Sequence, residues 1–264
     1  MHEGRLSAAP ATAVAAGGPA LLLIAHGSRD PRHAATVAAL VAEVRALRPG
    51  LEVATAYLDH CAPRIPQVVS RLAGAGADAV AVPLLLNRAF HAKHDIPAAL
   101  RAAGAGLPVA DVLGPSPLLL DTLDRRLAEA GLDLASPAVR ARTGVVLAAA
   151  GSSDPAADAA TRAVAAEWRR TRGWAAVEVA YASAAGPRVP DAVAALRRAG
   201  AAEVAVSPYL LAPGRLPDRI AGAAAGSADL LADVLGAAPE LARLLLARYD
   251  RARALAAAAP ALTA

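Results

Sequence analysis

The chain repeats itself, and this constrains its fold more than any other feature. Leu23-Ile-Ala-His-Gly-Ser-Arg-Asp-Pro31 resembles Leu147-Ala-Ala-Ala-Gly-Ser-Ser-Asp-Pro155, an offset of 124 residues from Gly27 to Gly151. The same offset relates Val53-Ala-Thr-Ala-Tyr57 to Val177-Glu-Val-Ala-Tyr181, Pro63-Arg-Ile-Pro66 to Pro187-Arg-Val-Pro190, and Val80-Ala-Val82 to Val204-Ala-Val206. Ala110-Asp-Val-Leu-Gly114 then recurs as Ala232-Asp-Val-Leu-Gly236 at an offset of 122, so the second copy has lost two residues in between. Landmarks that recur in one order mark a tandem duplication. A chain of 264 residues has room for two such domains.

Each copy alternates short apolar runs with helix-like segments. In the first, strands are predicted at 21–25, 53–57, 79–85 and 109–112, and helices at 31–47, 65–75, 96–103 and 117–130. Pro31 and Pro117 suit the first turn of a helix, and Gly50, Gly76 and Gly104 suit helix exits. Strand–helix alternation with short connections predicts an α/β fold, each domain a parallel four-stranded sheet with helices on both faces. Hydrophobic residues make up 56% of the chain and aromatics only 3%, so the core must be built from Ala, Val, Leu and Ile, which suits helices packed on parallel strands. The expected division is a disordered tail over 1–19, an N-terminal catalytic domain over 20–131 and a linker over 132–143. A C-terminal degenerate domain over 144–254 and a tail over 255–264 complete it.

Several function classes are disfavoured. The formal net charge is +4, yet basic residues are scattered among acidic ones without aromatics to stack bases, so no nucleic-acid partner is expected. The longest apolar runs have strand length, and residues 1–19 lack the apolar stretch of a signal peptide, so no membrane partner and a cytoplasmic location are expected. One cysteine, Cys61, excludes an intramolecular disulfide, and its neighbours match no nucleophile signature. There is no P-loop, so neither ATP nor another nucleotide is expected as cofactor.

The histidines are concentrated. All six (residues 2, 26, 33, 60, 91 and 94) precede residue 95, and Phe90-His91-Ala92-Lys93-His94 holds the chain's only Phe and only Lys. His26 follows the first strand, and the segment 87–95 follows the third. Ligands of open α/β sheets bind beyond the carboxyl ends of the strands, so both segments belong to one rim. Two or three neutral imidazoles could gather there around a divalent ion, with Asp95 capping the next helix or orienting a histidine through its ring N–H. His33 and His60 read as surface residues.

The run Ala25-His26-Gly27-Ser28-Arg29, together with Val82-Pro-Leu-Leu-Leu86 and Phe90-His-Ala-Lys-His-Asp-Ile-Pro97, resembles the sirohydrochlorin cobalt- and ferrochelatases, the class II chelatases. The resemblance covers roughly residues 20–254 and is to the long, two-domain form. It implies two tandem flavodoxin-like domains facing each other across a cleft that holds the tetrapyrrole. It also implies ATP-independent insertion of Co²⁺ or Fe²⁺ into sirohydrochlorin or a close relative, for sirohaem or cobalamin biosynthesis. By the same resemblance His26 and His91 bind the incoming metal and help remove the two pyrrole protons, with His94 a third candidate ligand. Sirohydrochlorin carries eight carboxylates, which makes Ser28, Arg29, Arg88 and Lys93 candidates for binding it. A monomer with pseudo-dimeric domains is the expected assembly. The alternative is a non-catalytic carrier of metal or tetrapyrrole using the same cleft.

In the second copy Ala150 stands where the first has His26, and Leu211-Ala-Pro-Gly-Arg-Leu-Pro-Asp-Arg-Ile220 replaces the His91 segment without any histidine. One active half and one wall-forming half is the reading that follows.

Overall fold

The computed structural model describes residues 18–87, 94–184 and 186–258. The first copy forms β1 (Ala20–Ala25), α1 (Pro31–Leu47), β2 (Val53–Tyr57), α2 (Ile65–Gly74), β3 (Ala79–Pro83), α3 (Ile96–Ala102) and α4 (Pro117–Glu129). A short helix, α5 (Pro137–Arg142), leads into β4 (Thr143–Ala149), α6 (Pro155–Arg172), β5 (Ala176–Tyr181), α7 (Val189–Arg198), β6 (Glu203–Pro208), α8 (Arg215–Ala224), β7 (Leu230–Leu231) and α9 (Pro239–Ala258). The segment expected to be a plain linker therefore carries a helix, and its first residue, Leu132, is buried in the core. Helix α9 also runs four residues past the expected end of the second domain.

Both sheets are parallel, in the orders β2-β1-β3 and β5-β4-β6-β7. The first has three strands where four were expected. Val109 pairs with Ala81 only as an isolated bridge, through Ala81 N–H to Pro108 O and Ala110 N–H to Ala81 O. Pro108 has no N–H to extend the ladder. Its counterpart β7 reaches just two residues.

Matching local signals start equivalent helices. Asp30 and Asp154 each cap a helix by accepting the N–H two residues on, with a proline in the first turn. Arg64 and Arg188 each donate the backbone N–H to the side chain three residues later, Gln67 or Asp191.

The third strand corrects the repeat alignment. Leu21 pairs with Val80, whereas its counterpart Val145 pairs with Ala205, an offset of 125 rather than 124. Val80 and Ala205 face the shared core, while Ala81 and Val206 face the outer helices. A one-residue slip would exchange those faces, so burial decides the register where an alanine- and valine-rich sequence cannot.

Alternate strand residues feed different cores. Leu22 and Ile24 pack outward on α2 and α3, and Val146 and Ala148 pack outward on α7 and α8. Leu21, Leu23, Val145 and Leu147 face one continuous interior that joins the two halves. The last helix of each copy crosses into the other: α4 packs on β6, and α9 packs on β3 and α1. Polar contacts seal the exchange. Buried Asp124 of α4 accepts from Trp168 Nε1 of α6 at 2.8 Å and from Arg140 at 3.2 Å. Arg48, which caps the C-terminus of α1, forks onto Asp250 of α9 at 2.6 and 2.7 Å. Arg125 of α4 pairs with buried Glu240 of α9 at 2.6 Å.

Candidate active site

Strand β1 lies between β2 and β3, so the loops after β1 and β3 leave from the point where the sheet's winding reverses. A cleft of about 930 Å³ opens there between the halves. Its first wall carries His26, His33, His94 and Asn87, and the facing wall carries Ala150, Asp158, Thr161, Tyr181 and Arg215.

His26 sits on a turn whose backbone leaves no choice of residue at the next position. Gly27 has φ +93°, and a Cβ there would lie 1.8 Å from Asp59 O. That carbonyl belongs to the loop after β2, whose Asp59 N–H donates to His26 O at 2.8 Å. Cys61 ties the same two loops, donating to Ser28 O at 3.1 Å and accepting from Ser28 N–H at 3.4 Å. The lone cysteine is thus half-buried and structural. The ring Nδ1 of His26 lies 3.1 Å from Gly27 O, a contact that favours the Nδ1–H tautomer because a carbonyl oxygen only accepts. That tautomer is the one an incoming cation or a departing proton can use.

His33 was expected on the surface, but its side chain lines the cleft and is half-buried. One turn into α1 it lies beside the Tyr57 ring, at a centroid distance of 6.4 Å. Burial first, and then repulsion from His26, lowers its pKa and favours the neutral ring. Among the described residues its buried Nδ1 finds no hydrogen-bond partner. The available signal was closeness in the chain: His33 lies in the first turn of α1, directly after the turn that carries His26. His60 is exposed as expected, with its ring centroid 6.3 Å from that of His26.

The other expected site residues divide into three groups. Ser28 and His94 line the cleft with His26. The Ser28 hydroxyl accepts from Asp30 N–H at 3.1 Å, a contact that Ser152 repeats with Asp154 at 3.0 Å, so it serves the turn in both halves. Arg29 is exposed and is not among the residues lining the cleft. Asp95 occupies the start of α3 with its backbone already helical and makes no capping hydrogen bond with its side chain. Arg88, His91 and Lys93 lie outside the described residues, and among those described no three His, Cys, Asp or Glu side chains form a metal-sized cluster.

Sequence reasoning placed Asn87 on the rim only as the first residue of the segment 87–95, and missed Asp158 and Arg215. Arg215 follows Gly214 in the segment read only as a shortened counterpart of the His91 region. Nothing in one sequence marks such residues as cleft-facing, because their placement depends on how the halves meet.

Comparison with known proteins agrees with the architecture. The CbiX family model matches residues 20–130 and again 144–252. A sirohydrochlorin ferrochelatase of Priestia megaterium is 30% identical over 210 residues, covering 76% of this chain and 76% of that protein. A sirohydrochlorin cobaltochelatase of the same organism is 29% identical over 212 residues, covering 76% of this chain and 66% of the relative. SirB of Bacillus subtilis, solved with Fe³⁺, superposes with a TM-score of 0.77 at 22% identity, over 91% of this chain and 98% of that one. With the family profile matched once by each half, this chain belongs to the CbiX family.

Proposed function

We propose that this protein is a sirohydrochlorin chelatase, inserting Co²⁺ or Fe²⁺ into sirohydrochlorin or a closely related tetrapyrrole without ATP, in sirohaem or cobalamin biosynthesis. The observation that carries the reading is His26, held at the sheet's switch point on the wall of a cleft of about 930 Å³ between two duplicated halves. Its CbiX relatives are named for this chemistry. The metal is a substrate, and its entry releases two pyrrole protons. Pyrrole N–H groups are very weak acids, so a base and a metal must act together. His26 and His91 are assigned the ligand and base functions, with His94 as a third candidate ligand and Asp95 as an orienting residue. Ser28, Arg29, Arg88 and Lys93 are assigned to the substrate's carboxylates.

Arg215 joins them from the opposite wall. Its guanidinium offers the charge-assisted donors that a carboxylate-bearing macrocycle needs. The working division of the chain is a catalytic half over 20–131 and a wall-forming half over 144–254, acting as a monomer. Among the described residues no helix is long and apolar enough to cross a membrane, and we assign the protein to the cytoplasm.

An anaerobic absorbance assay with sirohydrochlorin and Co²⁺ or Fe²⁺ tests the reading. Multiple turnovers by the wild type are expected, and both His26→Ala and His91→Ala should lose at least about 10²-fold in rate. Saturation after one equivalent would instead indicate a carrier, and near-normal rates in both variants would reject the mechanism.

A further inference from the structure

A side-chain hydrogen bond joins the two halves in the lining of the cleft. Asn87 Nδ2 donates to Thr161 Oγ1 at 3.1 Å. Thr161 is 3% exposed within α6, and its hydroxyl donates onward to Ala157 O at 3.0 Å, so both its hydrogen-bonding roles are used. Asn87 and Thr161 both line the cleft. Asn87 also lines a second cavity of about 440 Å³, shared with Asp111, Gly114 and Arg248, so its side chain borders both.

The duplication supplies an internal control. By the α1–α6 equivalence Thr161 corresponds to Val37, which is 2% exposed. By the register of the third strands, Pro83 corresponds to Pro208, and Asn87 therefore to Ala212. The reciprocal pair across the other diagonal is Val37 with Ala212, which has no polar group to share. Both members of the pair are polar on the diagonal that leads to His91, and both are apolar on the one that leads to no histidine. A buried hydroxyl costs free energy unless it is bonded, and valine is its near-isostere, so packing alone does not call for threonine at 161.

We propose that Thr161 and Asn87 form a positioning pair for metal insertion: the second half uses a buried hydroxyl to hold the residue from which the chain enters the His91 segment. This rests on the chelatase reading. The second half is then more than a wall, because it sets the geometry of the first half's catalytic rim. Neither residue touches the reacting atoms; each acts through the segment that begins at Asn87.

Full-length Thr161→Val, Thr161→Ser, Asn87→Ala and the double variant Asn87→Ala/Thr161→Val test this by steady-state Co²⁺ insertion and thermal unfolding. Thr161→Val should lower kcat about tenfold, as misplacement of a reacting group does. KM for sirohydrochlorin should change by less than about twofold, since ground-state binding is not the lost term. Thr161→Ser should restore most of kcat, the double variant should be no slower than the slower single variant, and the unfolding midpoint of Thr161→Val should not fall. Wild-type kcat in a folded Thr161→Val, or independent additive losses in the double variant, would overturn the pairing while leaving the chelatase reading intact. A wild type without insertion activity toward either metal would remove both.

Discussion

The two halves share a backbone and differ in chemistry. Gly27 and Gly151 both adopt positive φ, and in both a Cβ would strike the carbonyl of a neighbouring loop, at 1.8 Å from Asp59 O and 2.2 Å from Ser183 O. His26 O and Ala150 O accept equivalent backbone N–H groups, from Asp59 at 2.8 Å and Ser183 at 2.9 Å. His60 and Ala184 both take left-handed φ, at +61° and +57°. Yet where the first half places His26 and His33, the second has Ala150 and Ala157. Retention of the turn without its histidine shows that the turn belongs to the fold and does not need the imidazole. The exchange of α4 and α9 ties the halves together: each sheet's inner face is covered partly by a helix from the other copy.

That contrast can be broken most sharply at residue 26. Giving the first half the second half's residue, His26→Ala, is expected to cost at least about 10²-fold in insertion rate. The reciprocal Ala150→His should gain no activity, because the second half has no histidine segment to pair with it. Gain of a second active rim, read as initial rate in an Ala150→His/His26→Ala protein, would show that the wall is not degenerate.

Equivalence of the exchanged helices is tested next. Leu123 of α4 and Leu245 of α9 correspond and are both fully buried in the shared core. Each Leu→Ala substitution should destabilise by about 2–5 kcal/mol, measured by denaturant unfolding. A single cooperative transition should persist in both variants. Two separated transitions would mean that the halves unfold independently and that the shared interior is not one core.

The glycines separate scaffold from chemistry at somewhat smaller cost. Gly27→Ala and Gly151→Ala should each lower stability by about 1–3 kcal/mol, through strain at positive φ and the carbonyl clash. Only Gly27→Ala should also reduce insertion in protein that remains folded, as read from kcat at a temperature well below the unfolding midpoint. Equal activity losses would place a reacting group on the second turn.

The smallest effect concerns pH. The Arg125 guanidinium, ahead of the opposing effect of burial, holds the Glu240 carboxyl below its usual range. A carboxylate with a depressed folded-state pKa stabilises the fold above its unfolded value, and that stability is lost as pH falls through the folded value. Glu240→Gln should therefore flatten the acid limb of the unfolding midpoint between about pH 5 and 3 and leave the slope near neutrality unchanged. Its α4 counterpart, Leu118, offers no such group. An unaltered acid limb would mean that the Arg125–Glu240 contact contributes nothing to the α4–α9 crossing.

Much of this was legible in the residues. Proline in the first turn of a helix, glycine at helix exits and apolar runs of strand length placed the elements within a few residues, because these are local preferences. His26 could be assigned to the rim because it directly follows β1, and chain connectivity alone carries that inference. His33 was misjudged because burial of a side chain on an amphipathic helix depends on what the helix faces. The weak fourth strand beside β3 was overestimated because a short apolar run does not reveal how few of its backbone groups find partners.

The amino-acid sequence by itself determined the duplication, the parallel α/β plan and the asymmetry of histidines, since each is written in spacing and residue type along the chain. Only the tertiary structure decided the one-residue register of the third strands, the reciprocal exchange of α4 and α9, and the meeting of Asn87 with Thr161. Those depend on contacts between residues far apart in the chain, where burial of one face rather than any local preference selects the arrangement.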